Sequence, residues 1–254
     1  MSTAPGAAAA PAPDRVAVLR RGVNLTNWFR FPASAAPAAL GAYLSDAAID
    51  DLRRTGFTVV RLAVQPEFLT ASATRLTLLA EEVARLERHG LAVIVALHPH
   101  TWTLETHPAD RAALLQTWRE LAPALAGLDP SRTFPEVLNE PVFHGDEAGW
   151  EQLQETARGV IRDALPKNTI VLTGNDWGSI AGLVALHPSP DPDVVYSFHF
   201  YDPVELTSLA AWRPGLDRTA LARLPFPVSG ASTCAAAFAG ADPATRDVAS
   251  YYCR

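Results

Sequence analysis

The sequence is short of several things. It has two cysteines in 254 residues, Cys234 and Cys253, both near the C-terminus. Neither has a partner at metal-site spacing, which excludes a zinc-ribbon or finger framework. A local disulfide between them and a pair of unpaired thiols both stay open. No apolar run approaches the ~18 residues that a membrane helix needs, so no membrane partner is expected. Lys and Arg number 21 against 27 Asp and Glu, for a formal net charge of −6, and the basic residues form no cluster. Nucleic acid is therefore not an expected partner. No G-x-G-x-x-G follows the first strand and no G-x-x-x-x-G-K-[ST] occurs, which argues against dinucleotide and P-loop nucleotide sites. There is no G-x-S-x-G, and Ser179 follows a glycine without the rest of a nucleophile turn. The first fifteen residues, MSTAPGAAAAPAPDR, lack a basic start and an apolar core. They do not read as a signal peptide. They are expected to be a disordered Pro/Ala-rich leader, with one domain over 16–254.

What is present is alternation. Short, β-branched, apolar runs at 20–25, 57–63, 91–97, 133–138, 169–173 and 194–198 read as strands buried on both faces. Helical patterns separate them at 46–55, 74–89, 110–128, 150–165 and, less regularly, 179–187. Gly56 and Gly90 stand where a helix should stop and a strand begin. Buried strands alternating with helices predict a parallel α/β sheet, either an open doubly wound sheet or a (β/α)₈ barrel of which six βα units are present.

The strand ends favour the barrel, whose active sites collect at the C-terminal ends of several strands. Asn24, Asn27 and Trp28 follow the first strand, and the second carries Arg61. The third ends in His98, with His100 and Trp102 beyond. The fourth ends in Asn139 and Glu140. Asn175, Asp176 and Trp177 follow the fifth, and His199 and Tyr201 the sixth. A single histidine or tryptophan here would be ordinary packing. Polar and aromatic groups at every strand top point to a carbohydrate-type site. A metal site on His98, His100 and His199 leaves the Asn–Glu pair and the tryptophans without a task.

These segments resemble glycoside hydrolase family 5, the cellulase family of the GH-A clan. The matching motifs are RGVNLTNWF at 21–29, VVRLAVQPE at 59–67, VIVALHPH at 93–100, FPEVLNEP at 134–141, IVLTGNDW at 170–177 and VVYSFHFYDP at 194–203. The resemblance spans roughly 20–203 and weakens beyond. It implies a retaining hydrolase of a β-linked oligo- or polysaccharide, monomeric when complete, needing no metal or organic cofactor. It implies Glu140 as general acid/base and Asn139 as a bond to the sugar 2-hydroxyl or the nucleophile. Arg61 would brace the nucleophile carboxylate, and His98 would line the glycone side. His199 and Tyr201 would orient the carboxylates. Trp28, Trp102 and Trp177 would be sugar platforms, with Asn175 and Asp176 as further substrate contacts. A non-catalytic carbohydrate-binding protein using the same cleft is the alternative. Extracellular glycans favour export, which the visible N-terminus does not support.

The family also implies a nucleophile Glu at the end of a seventh strand. The last Glu here is Glu205, and the forty-nine residues after it contain none. Glu67 and Glu205 are poor substitutes by position. The final stretch is expected to be a Pro-, Ala- and Ser-rich loop. The sequence is accordingly expected to be a fragment of a longer product or a decayed or split hydrolase.

Overall fold

Parity along the strands determines which side chains meet. The structure, a computed structural model, describes residues 10–203, 207–208, 213–228 and 230–253. Six strands, β1 (Gly22–Leu25), β2 (Val59–Val64), β3 (Ala92–Leu97), β4 (Thr133–Glu136), β5 (Ile170–Thr173) and β6 (Val194–Ser197), lie within about two residues of the expected runs at their starts and ends. Every neighbouring pair is parallel, and the spatial order is β1-β2-β3-β4-β5-β6. A doubly wound sheet reverses direction at a switch point. The unbroken sequential order is that of an incomplete barrel.

Odd and even positions divide the strands between two cores. Val60, Leu62 and Val64 of β2, Val93, Val95 and Leu97 of β3, and Ile170 and Leu172 of β5 pack with the helices in the main core. Val59, Ala92, Phe134 and Val171 form a separate cluster on the inner face, joined by Val18 and Leu19. Arg61 and Glu136 share the parity of that inner face, two residues above Val59 and Phe134. A charged residue at such a position must be paired.

The covering helices begin and end on local signals. The helix Asp46–Thr55 is capped by Ser45, whose side chain accepts from the Ala48 N–H, and it ends on Gly56 at φ 104°. Pro108–Leu125 starts with proline in its first turn and stops three residues short of the expected end. Pro123 lies within its last turn, where it removes one bond of the ladder without ending the helix. Glu147–Ala164 is capped by Asp146. Ala73–Arg88 precedes Gly90, which sits at φ 83°.

Two expectations need correction. The disordered leader was drawn to residue 15, yet residues Pro13–Val18 form a helix. Proline opens it at no cost in hydrogen bonds, and Arg15 donates to the Lys167 carbonyl at 2.7 Å. Residues 1–9 lie outside the described residues. The C-terminal stretch is not a plain loop, and 16–254 is not one body. The chain divides into two compact units, Met1–His199 and Phe200–Arg254. The second contains helices Arg218–Leu221, Ala231–Ala237 and Pro243–Tyr252. Alanine, counted as loop composition, is the strongest helix former, and Asp242-Pro243 is an N-cap followed by a helix-opening proline. A Cys234–Cys253 disulfide, with Cα atoms 5.8 Å apart, lies in this unit's small core beside Leu221, Phe238 and Val248.

Candidate active site

Arg61 organises the top of the sheet. Its Nε donates to Glu136 Oε2 at 2.7 Å and its Nη2 to Oε1 at 2.6 Å, a two-pronged ion pair. The same Nη2 donates to Asn139 Oδ1 at 2.9 Å, and Nη1 reaches Asn24 Oδ1 at 3.3 Å. The expected partner of Arg61 was a nucleophile carboxylate. Its fork is instead matched to Glu136, a residue the sequence reading did not single out. The signal was available: Glu136 follows Phe134 at inward parity, in a strand buried throughout.

The chain of bonds continues to His98. Because Asn139 Oδ1 accepts from Arg61, its amide nitrogen donates to His98 Nε2, at 3.0 Å. That assigns the His98 proton to Nδ1, a buried atom with no hydrogen-bond partner among the described residues. Burial, then the nearby Arg30 and Arg61 cations, lower the His98 pKa to about 3. The ring is neutral at ordinary pH.

Glu140 stands beside this chain under a different constraint. Its Oε1 accepts from His199 Nδ1 at 2.7 Å. His199 is held by its own backbone N–H on the Gly178 carbonyl at 2.7 Å. Glu140 adopts φ 48° although it precedes Pro141, a position that ordinarily forces extended backbone. Such strain persists where surrounding structure imposes it, and it aims the carboxylate. The His199 hydrogen bond lowers the Glu140 carboxyl below the usual range against the opposing effect of burial, with a hydrogen bond from Asn139 adding to it. A proton donor at neutral pH needs a raised value. The present surroundings instead favour an ionised acceptor.

The substrate residues separate on burial. Glu140, Asn139, His98, Trp102 and Trp177 line one cleft of about 240 Å³. Trp177 is 53% exposed and sits at φ 55°, following Asp176 at φ 55°. Trp28 has no exposed surface. Its indole N–H donates to the Leu40 carbonyl at 2.8 Å, so it is packing rather than a platform. Asn175 is buried as well, clipping Phe143 through both backbone groups at 2.8 and 2.6 Å. Asp176 accepts from Ser179 Oγ at 2.9 Å. Tyr201 belongs to the second unit. Glu67 is exposed in the short helix Pro66–Thr70, and Glu205 lies outside the described residues. Among the described residues no group of three His, Cys, Asp or Glu is placed to hold a metal. Two titratable lining residues were missed: Glu105 and His144, paired at 2.9 Å.

The His98 environment predicts acid sensitivity. The unfolded chain binds a proton on this histidine below about pH 6.5, while the folded chain refuses it down to about 3. Its contribution is complete above pH 6.5 and is lost as pH falls through that window. Solvent screening at the ring's accessible edge holds the effect to about 2 kcal/mol. Urea unfolding of wild type and His98→Gln at pH 7, 5.5 and 4 should show the gap between them shift by that amount in the variant's favour as pH falls. A constant gap would remove His98 as the cause.

The family model for cellulase, glycosyl hydrolase family 5, matches residues 19–233. Endoglucanase H of Acetivibrio thermocellus is 24% identical over 209 residues, 79% of this chain and 22% of that protein. Cellodextrinase A of Ruminococcus flavefaciens is 24% identical over 215 residues, 77% of this chain and 62% of that protein. The chain thus spans less than two thirds of either curated relative. Among solved structures, endoglucanase Cel5A of Thermotoga maritima superposes with a TM-score of 0.67 at 25% identity, covering 80% of this chain and 67% of that one.

Proposed function

The chain belongs to glycosyl hydrolase family 5, the cellulase family, and on that premise we propose that it carries the acid/base half of a retaining β-glycan hydrolase site, with Glu140 as general acid/base. The observation that supports this most is the Glu140–His199 contact at 2.7 Å in a cleft shared with Trp102 and Trp177. A strained, aimed carboxylate beside the exposed Trp177 ring and the half-buried Trp102 suits a proton acceptor and donor next to a sugar platform.

In this mechanism Glu140 protonates the departing glycosidic oxygen and then takes a proton from water. His199, Asn139 and His98 hold the carboxylate and the sugar in place, and His98, being neutral, adds no charge to the glycone side. Two carboxyl groups must stand about 5–5.5 Å apart for retention. Glu136 is occupied by Arg61, so the nucleophile role is assigned to none of the described residues. A second carboxylate arriving near Glu140 would repel its ionised form and raise its pKa. That would convert the present acceptor into a donor. The endoglucanase and cellodextrinase names among the relatives favour a β-linked glucan as the substrate class.

The test is the stereochemistry of the product. Proton NMR of a cello-oligosaccharide digest, recorded in the first minutes with the protein as its native host makes it, should show the new reducing end as the β-anomer. An α-anomer first would refute retention. Glycan binding with no product would instead support the non-catalytic, carbohydrate-binding reading.

A further inference from the structure

Trp177 lines the Glu140 cleft with little around its ring to hold it. The residue is 53% exposed, and its indole N–H makes no hydrogen bond among the described residues. It also lines a second concavity, of about 450 Å³, and His144 lines both. A side chain bordered by open space can occupy several rotamers. The backbone beneath it is fixed, because the Trp177 N–H donates to the carbonyl of Pro141, the residue after Glu140, at 3.0 Å. The ring itself meets His144 edge-on, at 6.1 Å between centroids and 84° between planes.

His144 is held in turn by Glu105, from the loop after β3. Glu105 Oε1 accepts from the His144 backbone N–H at 2.8 Å, and Oε2 meets His144 Nδ1 at 2.9 Å. One carboxylate thus fixes both the backbone and the ring of His144. Arg111 braces this anchor. Its Nη2 donates to the Glu105 carbonyl at 2.7 Å and its Nε to the Leu104 carbonyl at 2.5 Å, and its guanidinium lies 5.4 Å from the ring of Phe143. The His144 side chain is 70% exposed, and an ion pair so open to solvent contributes little to stability. Its geometric effect is larger. Edge-to-face contact is a favoured ring arrangement, and a side chain fixed in advance spares a ligand the cost of ordering it.

We propose that Glu105 and His144 are positioning residues of the glycan site: the pair sets the orientation of the Trp177 ring and, through it, the affinity for a β-linked sugar beside Glu140. This rests on the glycan-hydrolase reading. The chain Glu105–His144–Trp177 joins the loops after β3, β4 and β5 along one wall of the cleft. Neither Glu105 nor His144 takes part in proton transfer.

The test is calorimetric titration of the full 254-residue chain with cellotetraose. His144→Ala and Glu105→Ala should each weaken binding about three- to tenfold, the effect of having to order one side chain on binding. Glu105→Gln should keep most of the affinity, because its amide oxygen can accept from the His144 N–H while its nitrogen donates to Nδ1. Trp177→Ala should bind more weakly than wild type, and in that background neither alanine change should weaken binding further. A purely structural role would not show that dependence on Trp177. The two alanine variants are independent, so a folding defect in one leaves the other decisive, with thermal melting as the control. Unchanged affinity in a folded alanine variant overturns the proposal. So does a loss that persists in full without Trp177, which would make the pair a direct sugar contact. So does a Trp177→Ala chain that binds as tightly as wild type. Each of these results leaves the hydrolase reading standing. A wild type that binds no cellotetraose overturns both.

Discussion

Glu140→Gln is expected to lower turnover of an unactivated β-glucan by about 10²–10⁴-fold. The amide is nearly isosteric and its oxygen can still accept from His199 Nδ1, as the carboxylate does at 2.7 Å, so the fold should survive. What is lost is the proton. A substrate with an acidic leaving group, such as a dinitrophenyl glycoside, needs no protonation to depart and should lose far less in the first step. Where a second carboxylate completes the site as nucleophile, the second step lacks its base, so the glycosyl-enzyme should accumulate, and added azide should restore turnover and yield a β-glycosyl azide. Steady-state kinetics on the two substrate classes, with and without azide, measures this. Equal losses on both classes without rescue would remove Glu140 from the acid/base role and leave it a sugar contact.

Arg61→Met is expected to cost about 3–5 kcal/mol of stability. The side chain of Glu136 is only 3% exposed, and its two oxygens accept from Arg61 at 2.6 and 2.7 Å. Removing the cation strands a buried carboxylate, and the penalty of that unpaired charge exceeds the worth of the pair itself. The melting temperature should drop by about 10 °C, at roughly 2–4 °C per kcal/mol for a chain of this size. Arg61→Met combined with Glu136→Leu should recover much of the loss, because no unpaired charge then remains. If the double variant is as unstable as the single, Arg61 stabilises through Asn139 and Asn24 instead. Activity should not recover in the double variant, since Asn139 loses the donor that fixes its amide and therefore the bond to His98.

These two experiments probe different layers of one inner face. Arg61 and Glu136 lie two residues above Val59 and Phe134, and the polar groups that meet the cleft begin immediately beyond them. Paired charges carry the transition from an apolar barrel interior to a wet site, and Asn139 relays the transition to His98. Function and stability are therefore linked at Arg61 and separable at Glu140.

The sequence by itself determined the order and kind of the elements. Val-, Ile- and Leu-rich runs bounded by Gly56 and Gly90, and the recurrence of polar groups after each run, are local patterns, and local patterns are readable without coordinates. It also determined the family, because the Asn139-Glu140-Pro141 segment and its neighbours recur in order. It did not determine the ending, where alanines taken for loop form helices closed by Cys234–Cys253. Burial, pairing and protonation were decided by the tertiary structure. Trp28 and Trp177 look alike as letters, and packing of the loops after β1 and β5 buries one and exposes the other. Glu136 and Arg61 are seventy-five residues apart, and strand register brings their charges together. An acid/base glutamate needs an upward shift, and His199, fifty-nine residues later, shifts Glu140 down. Each of these outcomes depends on the distance between groups remote in sequence, since charge coupling and desolvation act through space.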